Sequence, residues 1–212
     1  MKKIYFLLMI LTSCYSGKST IDKQERNLVY VKPVIIRSDE GEQPAKSTIP
    51  EKQIERVYQK AKIDFIFLNP VFWDNTKARD GIYNLDQISQ LATEQKIIKA
   101  RDTLYMFFVN AIDRRNGPMG MGMQNGNLIF IALGDSLPDG FHDTLEDMQT
   151  FVIAHEIGHN FNLKHAVDDP NVPDNIPNIQ GDGPFKDRIN PKYSLNQYQI
   201  QIILKSPLIH KK

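Results

Sequence analysis

The segment FVIAHEIGHNFNLKH, residues 151–165, constrains the fold of this chain more than any other stretch, because it gathers three of the chain's five histidines. A helix turns about 100° per residue, so His155 and His159 point the same way, roughly 6 Å apart along the axis. His165 lies beyond the natural continuation of that helix. For all three rings to meet, the chain must bend sharply soon after Asn160. Such a bend needs a residue that tolerates the left-handed conformation in which helices often end. Asn162 stands at that place, and asparagine is the usual second choice after glycine there. The pattern therefore predicts two side chains on a helix, a left-handed stop, and a third side chain swung back.

Two imidazoles one helical turn apart can hold a zinc ion at about 2.0–2.1 Å each. A third protein ligand leaves one tetrahedral position open to water, as in catalytic rather than structural zinc sites. His155, His159 and His165 are thus candidate metal ligands. Glu156 is adjacent to a ligand but directed to its side, so it is free to act as a general base toward water and to pass the proton to a leaving amine. The chemistry this implies is peptide-bond hydrolysis without a covalent intermediate.

The stretch HEIGHNFNLKH resembles the zinc signature of the metzincin metallopeptidases, His-Glu-x-x-His-x-x-Gly-x-x-His, with Asn162 in place of the glycine. The resemblance implies an α+β fold over roughly residues 28–206. That fold has a twisted mixed sheet with a backing helix and an active-site helix, followed by a small C-terminal subdomain. It also implies protein or peptide substrates lying extended along an edge strand, for which Gly120, Met121 and Gly122 are the candidates. The family carries a methionine in a tight turn beneath the zinc, yet no methionine follows Met148. The segment PNIQGDG, residues 177–183, resembles that turn, with Gln180 in the methionine position. A buried amide there needs hydrogen-bond partners.

The N-terminus, MKKIYFLLMILTSC, pairs two lysines with a short apolar run from Ile4 to Leu11. That run is far below the roughly 20 residues that span a bilayer as a helix, so it is expected to be a signal peptide. LTSC resembles a bacterial lipoprotein box, and Cys14 is the chain's one cysteine, which suits acylation better than a disulfide. The expected layout is a signal peptide over 1–13, an acylated flexible tether over 14–27, a catalytic domain over 28–206 and a tail over 207–212. Within the domain, 28–162 and 163–206 are the expected subdomains. A lipid anchor at Cys14 would place the protein on a bacterial cell envelope, at the outer membrane and facing either the periplasm or the surface. With that thiol consumed, a cysteine-based latency switch has no residue to use.

A net charge of +1 argues against a nucleic-acid partner, and a monomer is expected. Asp168, Asp169, Asp174, Asp182 and Asp187 could offer oxygen ligands to a structural calcium ion. Their spacing fits no calcium loop, so they are read as solvated turn residues, and His142 and His210 as surface residues. Periodicity predicts strands over 27–39, 63–68 and 103–112, with Pro33 demoting the first to an edge or marking a bulge, and reads NPVFWDN as a loop. Helices are predicted over 50–62, 85–101 and 194–204, and a long one from near His142 with an Asp143–Glu146 capping box. Asn125-Gly126 predicts a hairpin, with Met119, Met121 and Met123 packed on one face. The competing reading is a binding module that holds zinc or peptide without cleaving; a hydrolase acting on a non-protein amide is a third.

Overall fold

Strand β1 (Asn27–Arg37) is the spine of the fold. The computed structural model describes residues 25–112, 119–134, 144–172, 178–180 and 195–212. After β1 come α1 (Glu51–Tyr58), β2 (Ile63–Phe67), β3 (Val71–Asp74), α2 (Thr76–Arg79), α3 (Leu85–Glu94) and β4 (Thr103–Phe108). Then follow β5 (Gly120–Gly122), β6 (Leu128–Ile131), α4 (Leu145–Asn160), α5 (Gln197–Ile203) and β7 (His210–Lys211). The described strands form one mixed, twisted sheet in the order β2-β1-β4-β6-β5, with β3 and β7 also paired to β1. β1 to β4 and β6 run parallel, whereas β5 and β7 are antiparallel to their partners.

Pro33 does not make β1 an edge strand. β1 pairs with β4 along one side and with β2, then β3, along the other. The Val31 carbonyl accepts from Leu68 N on the β2 side, and backbone groups two residues apart point the same way. Pro33 therefore turns its hydrogen-free nitrogen into the gap between Val31, where β2 pairing stops, and Val34, where β3 pairing starts. The segment expected as a loop, NPVFWDN, contains β3, which fills the sheet beyond that gap. Trp73 on it is buried and donates its indole N–H to Gln95 Oε1 at 2.7 Å.

Helix α3 stops at Glu94, short of the expected Arg101. Lys96 is left-handed (φ 58°), and Ile97 N and Ile98 N both return to the Ala92 carbonyl. Ile98 still packs against the core without being helical, so its spacing imitated one more helical turn. The hairpin forms as expected, with Asn125 at φ 54°, but Gly126 N donates to the Met123 carbonyl at 2.9 Å, so the turn is centred on Gln124 and Asn125 rather than on Asn125 and Gly126. Met121 and Met123, however, are exposed, and only Met119 packs against the core.

Helices cover both faces of the sheet, a mixed α/β arrangement. On one face α1, α4 and α5 bury Ile54, Tyr58, Phe151, Ile153, Ile157, Ile200 and Ile203 against Val29, Val31 and Ile129. On the other, α2 and α3 bury Ala78, Ile88 and Ala92 against Val34, Phe107 and Phe130. Helix α4 opens on a capping box one residue later than expected. Thr144 Oγ1 accepts from Asp147 N, and Asp147 Oδ2 accepts from Thr144 N. From Met148 onward α4 is buried on nearly every side, because the β5–β6 hairpin, α1 and the 178–180 turn all close on it.

Candidate metal centre

Helix α4 ends where the histidine spacing requires. Asn162 is left-handed (φ 68°). Asn162 N donates to the His159 carbonyl at 2.8 Å, and Leu163 N to the Gly158 carbonyl at 2.9 Å. These are the two bonds of a Schellman motif, which satisfies the last helical carbonyls while reversing the chain. The reversal delivers His165 to the face that carries His155 and His159. Nε2 of His159 lies 3.1 Å from Nε2 of His155 and 3.0 Å from Nε2 of His165. The three ligand atoms all lie within 4.8 Å of one another.

The chemistry of these donors tests whether a metal fits. His155 Nδ1 is 2.7 Å from the Ile179 carbonyl, and His159 Nδ1 is 2.9 Å from the Leu163 carbonyl. A carbonyl only accepts, so in both rings Nδ1 carries the hydrogen and Nε2 presents a lone pair. Lone pairs aimed at each other at such distances repel, and a cation among them converts the repulsion into coordination. Two nitrogens on one tetrahedral zinc are about 3.3 Å apart, close to the spacing found. The His155, His159 and His165 triad fits one zinc ion. Carbonyls holding the far ring nitrogens fix ring orientation, as is usual around metal sites.

Glu156 faces the β5–β6 hairpin and is buried. Burial pushes its carboxyl up to about 7, while a hydrogen bond from the Gly122 backbone N–H pulls the other way. Strand β5 lies at the end of the sheet. Met119 O and Met123 N bond back to β6, so by alternation Gly120 and Gly122 turn their backbone groups to the outer edge. A Cβ at Gly120 would stand 2.7 Å from both Cγ and Oε1 of Glu156, and one at Gly122 would overlap the Glu156 carbonyl. Glycine at both positions is what lets the strand lie directly on the helix. Sequence reasoning placed these glycines on an edge but missed their contact with Glu156. A G-x-G strand ahead of a buried helix was the available signal.

Other contacts escaped the sequence altogether. Tyr58 donates its hydroxyl to the Ala154 carbonyl at 2.6 Å, bracing α4 one residue before the first ligand. Asn160 Nδ2 donates to the Met123 and Leu128 carbonyls, clamping the hairpin to α4. Gln180 is fully buried, its Nε2 donates to the His155 carbonyl at 2.7 Å, and it fills the space above Gly158.

Cys14, His142, Asp174, Asp182 and Asp187 lie outside the described residues. Asp169 caps a turn by accepting from Asn171 N and Nδ2. Among the described residues, the His155, His159 and His165 triad is the one group of three or more His, Cys, Asp or Glu side chains placed to hold a metal ion. His210 packs edge-on against Tyr30.

No protein-family model matches the sequence, and no curated protein does. Solved structures do resemble the fold. The archaemetzincin from Methanopyrus kandleri superposes with a TM-score of 0.51 at 11% identity, over 84% of this chain and 94% of that one. A zinc-dependent peptidase from Methanocorpusculum labreanum gives 0.48 at 14% identity, over 82% of this chain and 100% of that one. At 11% identity the likeness to the archaemetzincin is one of fold.

Proposed function

We propose that this chain is a zinc-dependent endopeptidase of metzincin type, with His155, His159 and His165 as ligands and Glu156 as general base. The observation that carries the proposal is the convergence of three imidazole Nε2 atoms beside a buried carboxyl that lies under a sheet edge. The archaemetzincin fold and the zinc-dependent peptidase among the similar structures support it. Zinc held by the triad supplies Lewis acidity, drawing the pKa of water toward neutrality and polarising a substrate carbonyl.

The protein's own groups do the rest. An extended peptide adds to the outer edge of β5, pairing with the Gly120 backbone, a mode in which main-chain hydrogen bonds supply affinity. Glu156, held by Gly122 N–H, takes a proton from the attacking water as the new C–O bond forms. It returns that proton to the amide nitrogen as the C–N bond breaks, so the amine leaves neutral. Burial makes this carboxyl hold a proton more readily than an exposed one, which suits its return to the leaving amine.

Gln180 occupies the position of the family's turn methionine in this reading. Acylation of Cys14 would tether the domain to a bacterial cell envelope, with residues 163–206 as its C-terminal subdomain. The purified chain, with one zinc per molecule, is expected to cleave denatured protein, and Glu156→Gln is expected to abolish cleavage while retaining zinc. A fully zinc-loaded wild type that cleaves nothing would favour the binding module. Mass spectrometry of the membrane-extracted chain would show the acyl groups, and Cys14→Ser would lose them.

A further inference from the structure

A three-residue turn, Asn178-Ile179-Gln180, touches one of the three candidate ligands, His155, and the residue that follows another, Ala166. The Ile179 carbonyl receives His155 Nδ1, Gln180 Nε2 donates to the His155 carbonyl, and the Gln180 carbonyl accepts from Ala166 N, next to His165. The turn is itself held by one buried pair of amides. Asn178 Nδ2 donates to Gln199 Oε1 at 2.9 Å, and Gln199 Nε2 donates to Asn178 Oδ1 at 2.9 Å.

Both oxygens of that pair accept twice. Asn178 Oδ1 also takes Gln180 N, closing the turn, and Gln199 Oε1 also takes Asn196 N, closing the capping box of α5. Each amide oxygen has two lone pairs, so both acceptors are saturated. Asn178 and Gln199 are buried, away from water that could substitute. The start of α5 and the orientation of His155 are therefore joined by an unbroken run of amide hydrogen bonds through Gln199, Asn178 and the turn.

We propose that the Asn178–Gln199 amide pair is a positioning device that makes the C-terminal helix part of the metal centre, so that the ligand His155 is correctly aimed only when α5 is docked. The proposal rests on the metal-centre reading above. It concerns residues that touch neither metal nor substrate and act through the Ile179 carbonyl. Nothing in the HEIGHNFNLKH motif encodes it, since the pair comes from two segments outside that motif. It also gives the polar Gln180 a use: its amide nitrogen carries the run to the helix that bears the ligands.

The test measures zinc affinity by chelator competition, and the His155 ring N–H by NMR in the zinc-free chain. In Gln199→Leu and Asn178→Ala, zinc binding is expected to weaken by about 10-fold or more, the usual effect of losing a partner of a ligand. The double variant is expected to be no worse than either single one, because both cut the same link. Ile88→Ala, which removes core packing on the opposite face of the sheet and leaves α5 and the amides intact, is expected to lower the melting temperature with zinc affinity held within twofold. Hydrogen exchange of the unmutated zinc-free chain needs no variant to fold. There, the His155 ring proton and the α5 amides are expected to exchange in one cooperative opening.

Unchanged zinc affinity in a folded Gln199→Leu chain would overturn the proposal. So would an equal loss in Ile88→Ala, or a His155 ring proton that stays protected after the α5 amides have exchanged. A wild type that binds no zinc would sink the metal reading instead, and the ring-proton measurement would still judge the amide link.

Discussion

Replacing Glu156 by glutamine in the zinc-free protein measures the electrostatic cost of a buried base. The folded carboxyl is pushed up to about 7 from an ordinary value of 4.5, chiefly by burial. Between those two values the folded state holds a proton that the unfolded state has released, so stability falls as pH rises. The contribution is fully present below 4.5 and lost as pH passes through 7. A gap of about 2.5 pKa units at 1.36 kcal/mol each is about 3 kcal/mol.

Glutamine matches the protonated form in shape and can still accept from Gly122 N–H. Glu156→Gln is therefore expected to come within about 1 kcal/mol of wild type near pH 5 and to be about 3 kcal/mol more stable at pH 8. For a domain of this size that is roughly 6–12 °C in melting temperature. Urea titrations of both chelated proteins across pH 5–8 read the difference directly, because every other ionisable group is common to the two chains and cancels to first order. Restoring zinc is expected to shrink the gap, since a nearby cation favours the carboxylate. A difference that stays flat over the whole range would refute the claim that Glu156 is desolvated.

The left-handed stop makes a sharp contrast. Asn162→Gly is expected to change stability by less than about 1 kcal/mol, whereas Asn162→Val, forcing a β-branched residue to φ 68°, is expected to cost about 1–3 kcal/mol; thermal melts decide. Gly120→Ala places a methyl 2.7 Å from the Glu156 carboxylate. It is expected to cut kcat on the order of 100-fold with zinc content unchanged, as steady-state kinetics and elemental analysis would show. Free zinc at about 100 times its Kd is expected to stabilise the chain by about 2.7 kcal/mol over the chelated form, and a melting temperature indifferent to chelator would refute binding at the triad.

The parts of this molecule that rest on local rules were legible in its residues. The spacing of His155 and His159, the left-handed Asn162, the Asn125 turn and the apolar rhythm of α1 and β4 depend on chain geometry within a few positions, and the structure reproduces them. Local signals misled where a distant partner decided the outcome. Pro33 reads as an edge residue until β2 and β3 are seen to leave a gap opposite it. Ile98 reads as helical because a left-handed Lys96 still delivers it to the core. NPVFWDN reads as a loop because only its neighbour β1 makes β3 a strand.

The candidate centre divides in the same way. Its three converging histidines and the buried Glu156 lie within eleven consecutive residues, where helical pitch leaves little freedom in how such side chains are placed. Its working environment was decided by tertiary contact alone. The burial that lifts Glu156, the glycines that admit it against the sheet edge and the amides of Asn178, Gln180 and Gln199 that brace His155 all come from segments far apart in the chain. Hydrogen bonds and desolvation depend on which groups meet in space, and that is settled only once the core has closed.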